Sequence, residues 1–345
     1  MERLTLTTLP SSEYTLLDSG DQQKLERYGD VVLARPDPQA LWPKTLGAGE
    51  WAKTQGRFER QGKEGVWVAD NLPKQWQIAF GGLEFLIRPT SFKHTGLFPE
   101  QLSNWEWVGE CIRSFGGSKI SGVHEFSAKN SLSPRADALR SPRQPSSSFA
   151  PQTLLQPSSA SSLDNVPLPQ PKVLNLFGYT GGATLAAAQS GAAVTHVDAS
   201  KTAVAWAREN AAASGLTEKP IRWIVEDVLV FVKREVRRVA ESGQKYDGII
   251  MDPPAFGHGP KDELWKIEED LIELISLCGQ LLSDKPLFFL INGYAAGYSP
   301  LAFAYNLEQF QTKFGGTIEY GDLAIAQEKG DRVLPCGIFA RWKAN

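Results

Sequence analysis

The sequence predicts an α/β protein, with an open, doubly wound sheet in its C-terminal half and a smaller β-rich module before it. Three observations carry this. Apolar runs at 173–176, 193–198, 221–225 and 246–251 each end in a glycine-rich turn or an acid. Segments of helical pattern lie between them, as alternating strands and helices in a parallel sheet require. The first ninety residues instead carry short runs of strand formers punctuated by Gly and Trp.

In the N-terminal module, 30–35, 65–69 and 77–80 read as strands, and Gly81-Gly82 before Leu83–Ile87 is a hairpin signal. Lys93 to Gln101 then leads into a helix with Trp105, Trp107, Val108, Cys111 and Ile112 on its apolar positions, and Pro99 suits the first turn because its missing N–H costs nothing there. His94 reads as a loop hydrogen-bonder. From 127 to 170 the composition turns to Ser, Pro, Ala and Gln, too poor in large apolar residues to offset ordering entropy, so a disordered insertion is expected. Helices are expected at 201–214, 228–242 and 262–282, the last with Leu264, Ile267, Leu271, Leu274, Ile275, Cys278 and Leu281 in one stripe. A fifth strand falls at 287–291, and strands at 317–325 and 337–342 close the chain.

Composition narrows the class. The 345 residues suit two domains, 42% of them are hydrophobic, and the net charge is −3. That balance argues against strong non-specific affinity for nucleic acid while leaving room for a local basic face. Cys111, Cys278 and Cys336 stand far apart, with neither disulfide nor metal-ligand spacing, so reduced thiols and no metal are expected. The sequence shows no signal-peptide core and no apolar run near the ~20 residues of a membrane helix. The expected compartment is the cytoplasm, with an organelle left open.

The chemistry gathers at the carboxyl ends of the predicted strands, where ligands of open α/β sheets bind. Asn175-Leu176-Phe177-Gly178-Tyr179-Thr180-Gly181-Gly182 is a strand, a tight turn and a helix start. Glycines there let a ligand approach the backbone, and the helix start adds a weak positive field. Asp198 ends the second strand, where a carboxylate can accept from a ribose diol. Glu226-Asp227 ends the third, and Asp252-Pro253-Pro254-Ala255-Phe256 follows the fourth.

Together these residues resemble the class I S-adenosylmethionine-dependent methyltransferases. More narrowly, Leu174 to Gly182 resembles the branch holding the bacterial large-subunit ribosomal RNA methyltransferases of the RlmI type. The resemblance spans roughly Ser91 to the C-terminus and departs at Asn175, where many class I enzymes carry an acid. It implies a Rossmann-like seven-stranded methyltransferase sheet at 171–345, a cofactor loop and helix at 91–126, a β-rich module at 1–90, and 317–342 as an antiparallel hairpin at the sheet edge. It implies S-adenosyl-L-methionine as cofactor. Asp198 would hold the ribose, Asp227 the adenine amino group and Phe177 to Thr180 the methionine portion, with Gln101, Gly181, Ala199, Val228 and Asp252 completing the set. The β-rich module would help to hold RNA or serve only as a cap.

Asp252, Pro253, Pro254 and Phe256 form the expected catalytic group. Proline fixes φ and removes competing donors, leaving carbonyls to face an acceptor amine, and Phe256 could stack on a flat base. Ala255 between Pro254 and Phe256 departs from the pattern of amino-methylating enzymes. Cytosine C5 methylation needs a cysteine nucleophile, and 292–299 after the fifth strand holds none, so heteroatom methylation is favoured. His258 reads as an exposed loop residue. The expected acceptor is an RNA base, most plausibly ribosomal, with protein or small-molecule methylation, a dinucleotide oxidoreductase or a non-catalytic cofactor binder as rivals.

Overall fold

The structure is a computed structural model and describes residues 1–61, 64–69, 71–91, 93–115, 170–260, 262–294 and 297–345. The insertion expected at 127–170 lies outside the described residues, apart from Gln170.

The chain begins with β1 (Glu2–Thr8), β2 (Tyr14–Gly20), β3 (Gln23–Tyr28) and β4 (Val31–Pro36). A single helical turn, α1 (Ala48–Trp51), precedes β5 (Gly56–Gln61), β6 (Glu64–Val68), β7 (Trp76–Phe80) and β8 (Leu83–Ile87). β2 to β6 form a five-stranded sheet in chain order, and β7 and β8 form the expected two-stranded hairpin. Gly81 and Gly82 turn that hairpin with φ of 59° and 74°, a region glycine enters at no steric cost.

A 3₁₀ turn at Pro99–Gln101 opens into α2 (Leu102–Arg113). Next come β9 (Lys172–Leu176), α3 (Gly182–Gln189), β10 (Ala193–Asp198), α4 (Lys201–Ala213), β11 (Ile221–Val225), α5 (Val228–Ser242) and β12 (Gly248–Met251). The chain ends with β13 (Phe256–His258), β14 (Leu264–Lys266), α6 (Ile267–Leu281), β15 (Phe288–Gly293), α7 (Pro300–Phe314), β16 (Thr317–Ala326) and β17 (Val333–Lys343).

One sheet runs β1-β16-β17-β15-β12-β9-β10-β11. Its inner strands are parallel, and β17 runs antiparallel to both β15 and β16. Seven of these strands match the expected sheet. The eighth differs from expectation: β1 pairs in parallel with β16, so the β16–β17 hairpin is not the sheet edge. A second difference is at 264–266. Leu264 is half exposed and belongs to β14, paired with β13, so the helix begins only at Ile267. There Asp270 accepts from the Lys266 amide at 2.8 Å and sets the helix start.

Both faces of the sheet are covered. Leu174, Ile249 and Phe289 pack with Phe231 of α5, Leu274 of α6 and Phe310 of α7. Val173, Ile250 and Leu290 face Val108 and Ile112 of α2 and Ala187 and Ala188 of α3. The alanines let α3 lie close to the sheet, and each large apolar side chain buried here contributes about 1.5–3 kcal/mol. A third cluster ties the β-module to this body, joining Tyr14, Tyr28 and Phe85 to Trp105 of α2 and Ile325 of β16. No helix among the described residues is long and apolar enough to cross a membrane.

Candidate active site

The sheet switches direction at β9, which lies between β10 and β12. Register brings Leu176 level with Val197 and Met251, so the residues after them meet at one edge. The Gly178 amide donates to Val197 O at 3.1 Å and the Asp252 amide to Leu176 O at 3.3 Å. Phe177, Tyr179 and Gly181 all have positive φ, a tight left-handed path for the loop. Asp198 holds that loop: Oδ2 accepts from the Tyr179 amide and Oδ1 from the Ser200 amide, each at 2.8 Å. Burial raises the Asp198 pKa and these two bonds oppose the rise. Each carboxylate oxygen keeps a further acceptor position, so the pair of acceptors fits the two hydroxyls of a ribose diol.

Gly178 is needed for what stands behind it. A Cβ there would lie 2.4 Å from the His196 ring. Asn175 donates to Thr184 Oγ1, and Thr184 Oγ1 meets His196 Nδ1, both at 2.8 Å. The Thr184 hydroxyl serves as donor or acceptor to Nδ1 according to the tautomer, and Nε2 is buried without a hydrogen-bond partner among the described residues. Burial, with Arg208 adding, lowers the His196 pKa to about 3, so the ring stays neutral. The amide of Asn175 thus serves a buried relay at the position where an acid was noted as the commoner choice.

The segment 93–101 is pinned onto the glycine-rich loop. Thr180 Oγ1 donates to Gly96 O at 2.5 Å, and Asn210 donates to Thr180 O at 2.9 Å. Gly96 has φ of 95°, and its Cβ would collide with Trp206. Gln101 is buried and donates to the Tyr294 hydroxyl at 2.7 Å. Gln101 also accepts from Asn104, which bonds to Asn292 at 2.9 Å.

Two cavities meet here. A narrow cleft of about 50 Å³ is lined by Gln101, Asn175, Phe177, Gly178, Thr180, Gly182 and Asp252, among others. A wider cavity of about 450 Å³ is lined by Tyr179, Asp252, Pro253, Pro254, Tyr294 and Cys336 and also by Lys24, Arg35, Asp37, Lys93, His94 and Glu100. Asp252, Leu97 and Phe98 line both. Burial, with the Glu100 charge adding, raises the Asp252 pKa to about 8. Glu100 is itself raised, by burial first, with Lys24 opposing.

Several expected residues lie outside the lining of both cavities. Asp198, Ala199, Asp227, Val228 and Gly181 line neither cavity. Asp227 caps α5, accepting from the Val230 amide at 2.9 Å. Phe256 lines neither cavity, is 56% exposed and stands edge-on to His258 at 5.1 Å. The rings at the cavity are Phe98, 5.1 Å from Tyr294 and 5.6 Å from Tyr179, and His94, 5.2 Å from Phe98. His94 lines the cavity, and burial, with Arg35 and Lys93 nearby, lowers its pKa to about 4. Cys336 also lines it. Its thiol donates to Leu334 O at 3.3 Å, and burial, with Glu100 adding, holds its pKa well above the ordinary value.

Sequence reasoning missed Tyr294, Lys24, Arg35 and Asp37. Tyr294 had a signal, since it follows β15 at the same sheet edge. The β-module residues had none, because a charge close to this cavity becomes intelligible only once its partner is known. Glu26 is fully buried and takes Arg35 Nη2 at 2.6 Å, Lys24 Nζ at 3.7 Å and the hydroxyls of Tyr14 and Tyr28 at 2.8 and 3.1 Å.

No protein-family model matches the sequence. A solved S-adenosylmethionine-dependent methyltransferase from Agrobacterium tumefaciens is 32% identical, with 100% of this chain and 95% of that one covered and a TM-score of 0.79. A putative methyltransferase solved with S-adenosylhomocysteine shares the fold at 19% identity, with 96% and 76% covered and a TM-score of 0.60. The chain therefore belongs to the class I S-adenosylmethionine-dependent methyltransferases. Among curated relatives, a ribosomal RNA large subunit methyltransferase K/L of Shewanella frigidimarina is 39% identical over 115 residues, 33% of this chain and 15% of that protein. Its counterpart in Shewanella baltica is 36% identical over 114 residues, 32% and 15% of the two chains. The match thus spans only about 15% of those relatives' length.

Proposed function

We propose that this protein transfers a methyl group from S-adenosylmethionine to a heteroatom of an RNA base, with large-subunit ribosomal RNA as the acceptor. The observation that carries the reading is the shared wall: Asp252 lines both the narrow cleft at the glycine-rich loop and the wider cavity beside it. S-Adenosylmethionine supplies an electrophilic methyl on a sulfonium, so the chain's task is positioning and exclusion of water rather than strong acid–base work. In this reading Asp198 holds the ribose, Phe177 to Thr180 shape the methionine end, and Asp252 with Pro253 faces the acceptor nitrogen. The acceptor ring lies among Phe98, Tyr179 and Tyr294, since stacking on aromatics is how unpaired bases are held. The protonated Cys336 argues for nitrogen or oxygen over cytosine C5, because the thiolate is the nucleophile that C5 chemistry needs. Support for ribosomal RNA comes from the names of the curated relatives. Mass mapping of modified nucleosides, in cells with and without the gene, tests it. One methylated base should disappear from large-subunit ribosomal RNA. Loss of a mark on a protein or metabolite alone would overturn the acceptor assignment.

A further inference from the structure

The 450 Å³ cavity is lined by electrically different groups. One is Asp252, whose one perturbing charge is Glu100. Three others are cations of unequal standing. Lys24 is committed to Glu26 at 3.7 Å and Asp37 at 3.4 Å. Arg35 spends its donors on Glu26, on Lys93 O at 2.9 Å and on the Tyr28 hydroxyl at 2.6 Å. Lys93 is different. Its ammonium has no ion pair or side-chain hydrogen bond among the described residues, although it lines the same cavity. Burial, then Lys24, presses its pKa below the lysine range, with Asp37 opposing and Arg35 and Arg60 adding smaller pushes. A partly dehydrated ammonium facing two cations is a standing cost that an anion in the cavity would relieve. The rings of Phe98, Tyr179 and Tyr294 line the same cavity. The volume suits one small ligand and is far too small for a duplex.

We propose that Lys93 binds the phosphate of the acceptor nucleotide, so that an unpaired or flipped-out nucleotide enters with its base toward Asp252 and its phosphodiester toward the β-module. The proposal rests on the RNA reading above. It makes the β-module part of the acceptor site, with Lys24 and Arg35 held by Glu26 as the support behind Lys93. It also requires the base to leave any duplex, as enzymes acting on a base edge commonly require.

The test uses the full chain and unmodified large-subunit ribosomal RNA transcribed in vitro. In Lys93→Gln the slope of log affinity against log salt should shrink by about 0.7, the loss of one single-strand phosphate contact, and KM for RNA should rise more than kcat falls. Lys93→Arg should restore both, and S-adenosylhomocysteine binding should match wild type in each. A second measurement needs no variant: in acylation of the wild-type lysines read by peptide mass, RNA should protect Lys93 and leave the exposed Lys53 reactive. Unchanged slope and KM in Lys93→Gln, or no protection of Lys93, while the RNA is still methylated, would overturn the phosphate contact and leave the RNA reading intact. A wild-type protein that neither binds nor methylates this RNA would defeat both.

Discussion

Glu26 in the β-module and Asp252 at the end of β12 are two carboxyl groups that burial treats alike and their neighbours treat oppositely. Burial pushes both upward. At Glu26 the adjacent Arg35 and Lys24, with hydrogen bonds from Arg35 and Tyr14, more than reverse it and hold the pKa at about 2. At Asp252 no cation among the described residues offsets burial, Glu100 adds its charge, and the pKa climbs to about 8. Glu26 is a permanently charged strut. Asp252 is a group whose proton is in play at neutral pH, which is the property expected where chemistry happens.

The largest effect should come from breaking the strut. Glu26→Gln strands two dehydrated cations and should cost about 3–5 kcal/mol of stability by urea unfolding. A loss under about 1 kcal/mol would mean that the cluster relaxes and the contrast is false. The wild-type contribution is present above the unfolded carboxyl pKa and is lost as pH falls through about 2.

Asp252→Asn should act in the opposite sense on stability. The folded state holds its proton more tightly than the unfolded chain, so wild-type stability falls as pH rises from about 4 to about 8. The variant should lack that slope and be more stable than wild type at pH 8. Methyl transfer should fall on the order of 100-fold in the same variant. Equal slopes in the two proteins would remove Asp252 from the comparison.

Asp198 lies between the extremes, raised by burial and answered by two backbone N–H groups. Asp198→Ala should weaken S-adenosylhomocysteine by about 1.5–3 kcal/mol in calorimetry, the worth of two charge-assisted bonds. Glu100→Gln removes the like charge beside Asp252. It should move the pH–rate inflection acidward from about 8, by about one unit, and an inflection that stays put would leave burial as the sole cause. The smallest effect belongs to Cys336→Ser, which should transfer methyl at close to the wild-type rate. Abolished transfer with cofactor binding intact would revive a cysteine nucleophile.

Much of the main sheet was legible because β9, β10, β11 and β12 are apolar runs with their chemistry at one end. The strands 193–198 and 221–225 and the helix 228–242 have the bounds that their patterns indicated. β1 was not legible: Glu2–Thr8 buries only Thr8 fully, and its two alternating leucines, Leu4 and Leu6, make too short a stripe to stand out. β2 was hidden for another reason. It carries Asp18 and Ser19 into the interior, and Asp18 is tolerable there because Thr45, Leu46 and Trp51, from the stretch that leads into and includes α1, donate to it. At 264–266 the 3–4 spacing of Leu264, Ile267 and Leu271 was read as one helix. Trp265 instead reaches Pro254 O at 2.7 Å and keeps that stretch extended. The site divided in the same way. Residues adjacent in sequence to the strand ends could be named, whereas Tyr294 at the wider cavity comes from the end of β15 and Phe256 lines neither cavity.

The pairing of β1 with β16 also bears on the order in which the molecule can assemble. Glu2 lies opposite Glu319, so this ladder joins positions 317 residues apart. The entropy of closing such a loop grows only with the logarithm of its length, so its equilibrium penalty is modest, while its effect on folding rate is larger. During synthesis residues 2–8 have no strand partner until β16 has emerged, and β16 gains its own antiparallel neighbour from β17. Docking of β1 is therefore a late event, and it is unforgiving at one point: a Cβ on Gly321 would lie 1.7 Å from Leu4 O. A side chain at position 321 would leave the β16–β17 ribbon with an open edge, a nascent protein complete in its catalytic sheet and exposed to pairing with its neighbours.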